Sequence, residues 1–128
     1  EKNPSSRSGA EPYVFTNCYS THPGYYGKSY QSWTTGTSVW CLMGIYEGIM
    51  GVKRDYEGLK IVPCFPAEWN RAEMTRHFRN ADYHIIIENP QHIESGKPIV
   101  SVDGVQIEGN RLPDFADGSR HEVKVVLR

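Results

Sequence analysis

The sequence predicts an α+β protein organised by segment: a long loop and a helical part over residues 1–70, then an antiparallel β-sandwich over 71–128. Three observations predict it. Apolar residues between 38 and 50 recur at helical spacing. Beyond residue 70 the apolar residues alternate in short runs, as half-buried strands require. Asp103-Gly104 joins two such runs, a strong hairpin signal. There is no internal repeat. One compact α+β domain is the alternative architecture.

The elements follow in order. Residues 1–10 are polar and read as a loose lead-in. Residues 11–38 carry Tyr13, Val14 and Phe15, then His22-Pro23-Gly24 and Gly27, which break the chain repeatedly. A loop this long is usually functional or disordered, and its aromatic content argues against disorder. Its Tyr and Trp residues suit either a sugar pocket or packing under the loop. Residues 38–50 read as a helix, with Val39, Leu42, Met43, Tyr46, Ile49 and Met50 on one stripe. Trp40, Cys41 and Ile45 make it apolar on other faces, so burial on nearly all sides is expected. Thr37 or Ser38 suits its N-cap, Gly51 its C-terminal stop. Gly44 and Gly48 would let another backbone approach closely. Leu59, Ile61 and Val62 suggest a short strand ended by Pro63 and Pro66. Residues 74–89, 99–107 and 121–128 supply about four or five antiparallel strands. A helix apolar all round needs more neighbours than this chain offers, so the first half reads as the end of a larger helical domain.

Composition narrows the function. Charged residues are 23% and hydrophobic residues 38%, enough apolar matter for a core. A net charge of −1 gives no electrostatic reason to capture nucleic acid or an anionic membrane. The N-terminus is neither a signal peptide nor a membrane span, and it lacks an initiator Met, which suggests a processed or excised segment. Cys18, Cys41 and Cys64 are three and form no CxxC, so a reducing, cytoplasmic compartment is expected, with Cys41 a buried free thiol. The five histidines make no HxxxH or HExxH pair, so no metal site is expected.

The turn Thr34-Thr35-Gly36-Thr37-Ser38 leads into the helix. Helix N-termini carry unpaired N–H groups and the positive end of the dipole. A glycine there lets an anion reach the backbone. Thr35-Gly36 is therefore open to two readings, a simple cap or a phosphate seat. It is neither a Walker A loop nor GxGxxG. Glu47 and Glu57 read as solvated, and Arg76, Arg79, Lys53 and Arg54 as solvated or paired. No carboxylate pair or nucleophile triad can be built from spacing.

Several motifs stand together in order: "EPYVFTNCY", "SWTTGTSVW", "IMGVKRDYEGLKIVPCFPAEW" and "MTRHFRNADYHI". Over residues 11–86 they resemble the C-terminal part of the glycoside phosphorylases of glycoside hydrolase family 94. The resemblance implies the end of an (α/α)6 barrel followed by a jelly-roll β-sandwich. It implies inverting phosphorolysis of a β-glycosidic bond, with inorganic phosphate as co-substrate, no cofactor, and a disaccharide or short β-linked oligosaccharide as substrate. By the same resemblance Thr35 and Gly36 form part of the phosphate seat. Asn17 stands where the family has a sugar-contacting Gln and is shorter, which implies a lost or altered contact. Glu11 matches a family Glu that positions substrate, and Tyr13 lines the sugar pocket. The family's catalytic Asp, with the Arg and His of its phosphate site, matches no residue of this chain. These 128 residues alone are thus expected to be inactive. They would work with the remaining catalytic polypeptide, in an enzyme that is commonly a homodimer. A stand-alone carbohydrate-binding β-sandwich module is the competing expectation, and a structural interaction domain a third.

Overall fold

A computed structural model describes residues 8–11, 14–30 and 36–128. The chain forms two compact units, residues 1–43 and 44–128.

In the first unit the described loop is closed by a short hairpin. Strands β1 (Cys18–Tyr19) and β2 (Ser29–Tyr30) pair antiparallel, Cys18 opposite Tyr30. Ser20 N donates to Lys28 O at 2.8 Å and Gly27 N to Ser20 O at 2.9 Å, closing the loop between them. A 3₁₀ turn at Pro23–Tyr25 occupies that loop, where proline removes a donor the first turn does not need. His22 caps it by accepting from Gly24 N at 3.3 Å. Helix α1 spans Thr37–Met43. It starts one residue ahead of the expected span. Gly36, not Thr37 or Ser38, stands in the cap position, its carbonyl accepting from Val39 N and Trp40 N at 3.1 Å each. The expected all-round burial is absent: Val39 is 64% exposed, Trp40 77% and Leu42 48%. Cys41 is half-buried rather than buried.

The second unit opens with a π-helical stretch, Gly44–Ile49, where Met50 N donates to Ile45 O at 2.8 Å. A hypothetical Cβ on Gly44 or Gly48 would meet nothing within 4 Å. Gly51 ends the stretch at φ +65°. A Cβ there would run into the Val62 carbonyl, so only glycine fits. Strands β3 (Val52–Asp55) and β4 (Gly58–Ile61) then form a hairpin. The expected strand at 59–62 is thus the second arm of a pair whose first arm, rich in charge, carries little apolar signal.

Five strands make the main sheet: β5 (Arg71–Phe78), β6 (Ala81–Glu88), β7 (Ile99–Val102), β8 (Val105–Gln106) and β9 (Arg120–Val126), in the order β5-β6-β9-β7-β8. Three of its four ladders are antiparallel as expected; β6 and β9 run parallel. The long connection from β6 to β9 allows it, because β7 and β8 lie within that connection. The expected strand stretch at 74–89 is divided by a two-residue turn at Arg79-Asn80, both at positive φ (45° and 63°). That turn moves the inward parity from even residues on β5 to odd residues on β6, with Phe78 opposite Ala81. Asp103 and Gly104, at φ 50° and 82°, make the expected hairpin turn of β7–β8.

One core holds this unit together. Tyr83, Ile85 and Ile87 of β6, Val123 and Val125 of β9, and Val100 and Val102 of β7 pack with Val52, Leu59 and Ile61 of the hairpin. Leu112 and Phe65 close it, and Leu112 N donates to Leu59 O at 2.9 Å. The opposite face of the sheet is wet and carries cross-strand ion pairs, including Lys124–Glu88 at 3.0 Å and His84–Glu122 at 3.0 Å.

Candidate functional site

Of the residues singled out in the sequence, Tyr13 and Thr35 lie outside the described residues. The other three are described, and all three are exposed. Gly36 precedes α1, and among the described residues its nearest neighbour is the Trp40 indole, at 3.8 Å from a hypothetical Cβ. Asn17 immediately precedes β1, where its N–H donates to Tyr30 O at 3.2 Å. The backbone that presents the Asn17 amide is therefore tied to the far arm of the hairpin. Glu11 sits ahead of it in the chain.

The loop between Asn17 and Tyr30 displays aromatic rings outward. Tyr19, Tyr25, Tyr26 and Tyr30 are all about half exposed or more. Tyr19 and Tyr26 meet edge to face at 6.1 Å, and His22 leans on Tyr25 at 6.0 Å. Such rings offer flat apolar faces with polar rims, which suits the two sides of a pyranose. The structure does not bury them beneath the loop.

In the second unit the charged groups are mostly paired, as expected for Arg79 and Arg54. Arg79 bonds Asp114 at 2.6 Å and also donates to Tyr56 O at 2.8 Å. Arg54 Nε lies 4.0 Å from Glu47 Oε1. Arg111 grips both oxygens of Asp55, at 2.7 and 3.0 Å, and reaches Glu57 at 2.8 Å. That guanidinium, with the Glu57 and Gly58 N–H groups, holds the Asp55 carboxyl down at about 2. Glu57 is therefore paired rather than merely solvated. Arg76 also departs from expectation. Its Nε is buried without a hydrogen bond among the described residues, and its guanidinium lies 5.8 Å from the Tyr46 ring centre.

These groups brace turns; none places an acid beside a nucleophile. Among the described residues no three His, Cys, Asp or Glu side chains are grouped to hold a metal. No described helix is long and apolar enough to cross a membrane. The sequence reading missed the Asp55–Arg111 grip. Its only local signal was Asp55 three residues ahead of Gly58, since the arginine is remote in sequence.

No family model matches the chain. Individual relatives do, along nearly all of it. The chain is 38% identical over 119 residues, 92% of its length, to an N,N'-diacetylchitobiose phosphorylase of Vibrio proteolyticus. It is 35% identical over 125 residues, 96% of its length, to a solabiose phosphorylase of Paenibacillus borealis. Over 128 residues, 98% of its length, it is 35% identical to a 3-O-beta-D-glucopyranosyl-beta-D-glucuronide phosphorylase of the same organism. It spans only 15% of the first of these relatives and 16% of the other two. Nearly the whole chain is thus homologous to a C-terminal part of the disaccharide phosphorylases.

Proposed function

We propose that residues 1–128 serve as the C-terminal part of an inverting disaccharide phosphorylase of glycoside hydrolase family 94. Phosphate attacks the anomeric carbon of a β-linked sugar. The glycosidic bond breaks as an Asp acid, contributed by polypeptide outside these residues, protonates the leaving oxygen. The products are an α-sugar 1-phosphate and the released sugar. An anionic nucleophile needs no general base. It needs a seat that aligns it and neutralises its charge. Thr35 and Gly36 form one wall of that seat. Asn17, Glu11 and Tyr13 bound the sugar.

The observation that carries the proposal is the match to three phosphorylases over 92–98% of the chain. The exposed apolar side of α1 agrees with it. Val39, Trp40 and Leu42 in water are expected of a helix that belongs against other helices of the catalytic domain. In this reading residues 1–70 end the (α/α)6 domain and 71–128 form the jelly-roll sandwich, although β3 and β4 share the sheet's core. The chain alone is inactive, and the whole enzyme is a cytoplasmic homodimer that uses phosphate and no cofactor. The carbohydrate-module alternative is less well supported. The wet face of β5, β6 and β9 offers charged and aliphatic residues but no phenylalanine, tyrosine or tryptophan for a sugar to stack on.

The test is phosphorolysis by the complete enzyme with Thr35→Ala. Losing one hydrogen bond to a charged ligand costs about 1.5–3 kcal/mol, so kcat/KM for phosphate should fall roughly 10- to 150-fold. Unchanged phosphate dependence removes Thr35 from the site.

A further inference from the structure

We propose that His121, Asp103 and Asp117 form a pH-responsive clasp that locks the 113–119 loop, and through it the Tyr56 tip of the β3–β4 hairpin. The proposal is independent of the phosphorylase reading.

His121 is buried on the core side of β9, opposite Tyr83 of β6. Its Nδ1 lies 2.8 Å from Asp103 Oδ2, and its Nε2 lies 3.3 Å from Asp117 Oδ1. Both neighbours are carboxylates. A neutral imidazole has one N–H and can donate to only one of them; the imidazolium donates to both. The two carboxylates are not equally secured. Asp103 is tied to β9 without the ring: its Oδ1 accepts from Glu122 N at 2.8 Å, and its own N–H donates to Glu122 O at 2.8 Å. Among the described residues, what holds Asp117 besides the ring comes from its own loop: Ser119 N at 2.8 Å and its own N–H. Losing the ring proton therefore frees the Asp117 side first.

Gly118 N donates to Asn80 O at 2.7 Å and Asp82 N to Ser119 O at 2.9 Å, which fix the loop's far end to the β5–β6 turn, while its Pro113–Phe115 end gathers around the ring. Phe115 stacks on the imidazole at 3.6 Å with 12° between planes. Tyr83 donates its hydroxyl to Pro113 O at 2.8 Å and accepts from Phe115 N at 3.4 Å. Ala116 is held at φ 50°, a left-handed conformation that a non-glycine residue adopts only under restraint. Asp114 then carries the connection outward. It holds Arg79, which donates to the Tyr56 carbonyl, and the Tyr56 side chain is 98% exposed. Arg54, Asp55, Tyr56, Phe78 and Arg79 line a cleft of about 440 Å³ at that tip.

The titratable and charged groups facing the ring are Asp103 from the β7–β8 turn, Asp117 from the loop and Tyr83 from β6, with Asp114 and Arg79 beyond Tyr83. Asp103, then Asp117, hold the imidazole above its ordinary 6.5, against the opposing effect of burial. His121 in turn draws Asp103 below 3.8, and the Ser119 N–H and His121 draw Asp117 below it. A raised histidine contributes stability below its unfolded pKa that is lost as pH rises through the folded one. A lowered aspartate contributes stability above its unfolded pKa that is lost as pH falls through the folded one. The clasp is therefore whole across the middle range and opens on the alkaline side above 6.5.

Amide hydrogen exchange of the intact protein from about pH 5.5 to about pH 9, corrected for intrinsic exchange, tests it. Protection of 113–119 should fall about tenfold or more through a step above the ordinary histidine range, while β6 stays protected. Asp117→Asn, a change at an exposed carboxylate, should move the step to lower pH. His121→Gln should abolish it. A wild-type loop without a step overturns the clasp, as does a step that survives His121→Gln or keeps its midpoint in Asp117→Asn. If His121→Gln does not fold, the midpoint in Asp117→Asn decides.

Discussion

The two units handle their apolar residues in opposite ways. In residues 44–128 the alternating strands turn Ile85, Ile87, Val100, Val123 and Val125 fully inward, and a charged ladder covers the other face. Among the described residues of 1–43, the loop hydrogen bonds join positions close in sequence, while Trp40, Val39, Tyr25 and Tyr26 stand in water. The second unit buries most of the apolar residues of its strands in its own core. The first leaves Trp40, Val39, Tyr25 and Tyr26 exposed, which is what the proposed active-site loop and barrel helix would do. The comparison teaches where each substitution should be felt.

The largest effect is expected in the self-sufficient unit. Ile85→Ala removes a fully buried side chain between β5 and β9 and should cost about 2–5 kcal/mol in denaturant unfolding. A cost below about 1 kcal/mol would mean that the shared core does not stabilise the unit. A smaller loss is expected from Tyr83→Phe, which deletes the bond to Pro113 O and the weaker one from Phe115 N and keeps the ring; about 1–2 kcal/mol should disappear. The smallest is expected in the first unit. Trp40→Ser should change the unfolding free energy of the chain by no more than about 0.5 kcal/mol, because its indole is already in water. In the complete enzyme the same change should be costly. A large loss in the chain alone would dissolve the contrast between the units.

Local chemistry was readable from the sequence where it was self-contained. Gly51 stops its helix because its own φ and the Val62 carbonyl demand glycine. Asp103-Gly104 turns β7 into β8 for the same kind of reason. Arg79-Asn80 makes a comparable turn without a glycine, so its local signal is weaker. Strand β3 was hidden because Lys53, Arg54 and Asp55 are exposed and only Val52 points inward. The parallel pairing of β6 with β9 depends on a long connection, which no local pattern encodes. Periodicity gave the apolar side of α1 but not its surroundings. It shows that a face is apolar and says nothing of whether this chain covers it. The proposed phosphate seat rests on the ordered motifs around Thr35 and Gly36, since a small-residue turn before a helix is more often a cap.

The central claim is that this chain works as one part of a phosphorylase whose acid lies elsewhere. Native mass measurement of the purified protein, with phosphorolysis assayed on the same sample, tests it most directly. The account predicts a longer chain or a firmly held partner, with activity residing in that larger species. A monodisperse 14.6 kDa monomer that is stable alone and turns over a disaccharide with phosphate would contradict it.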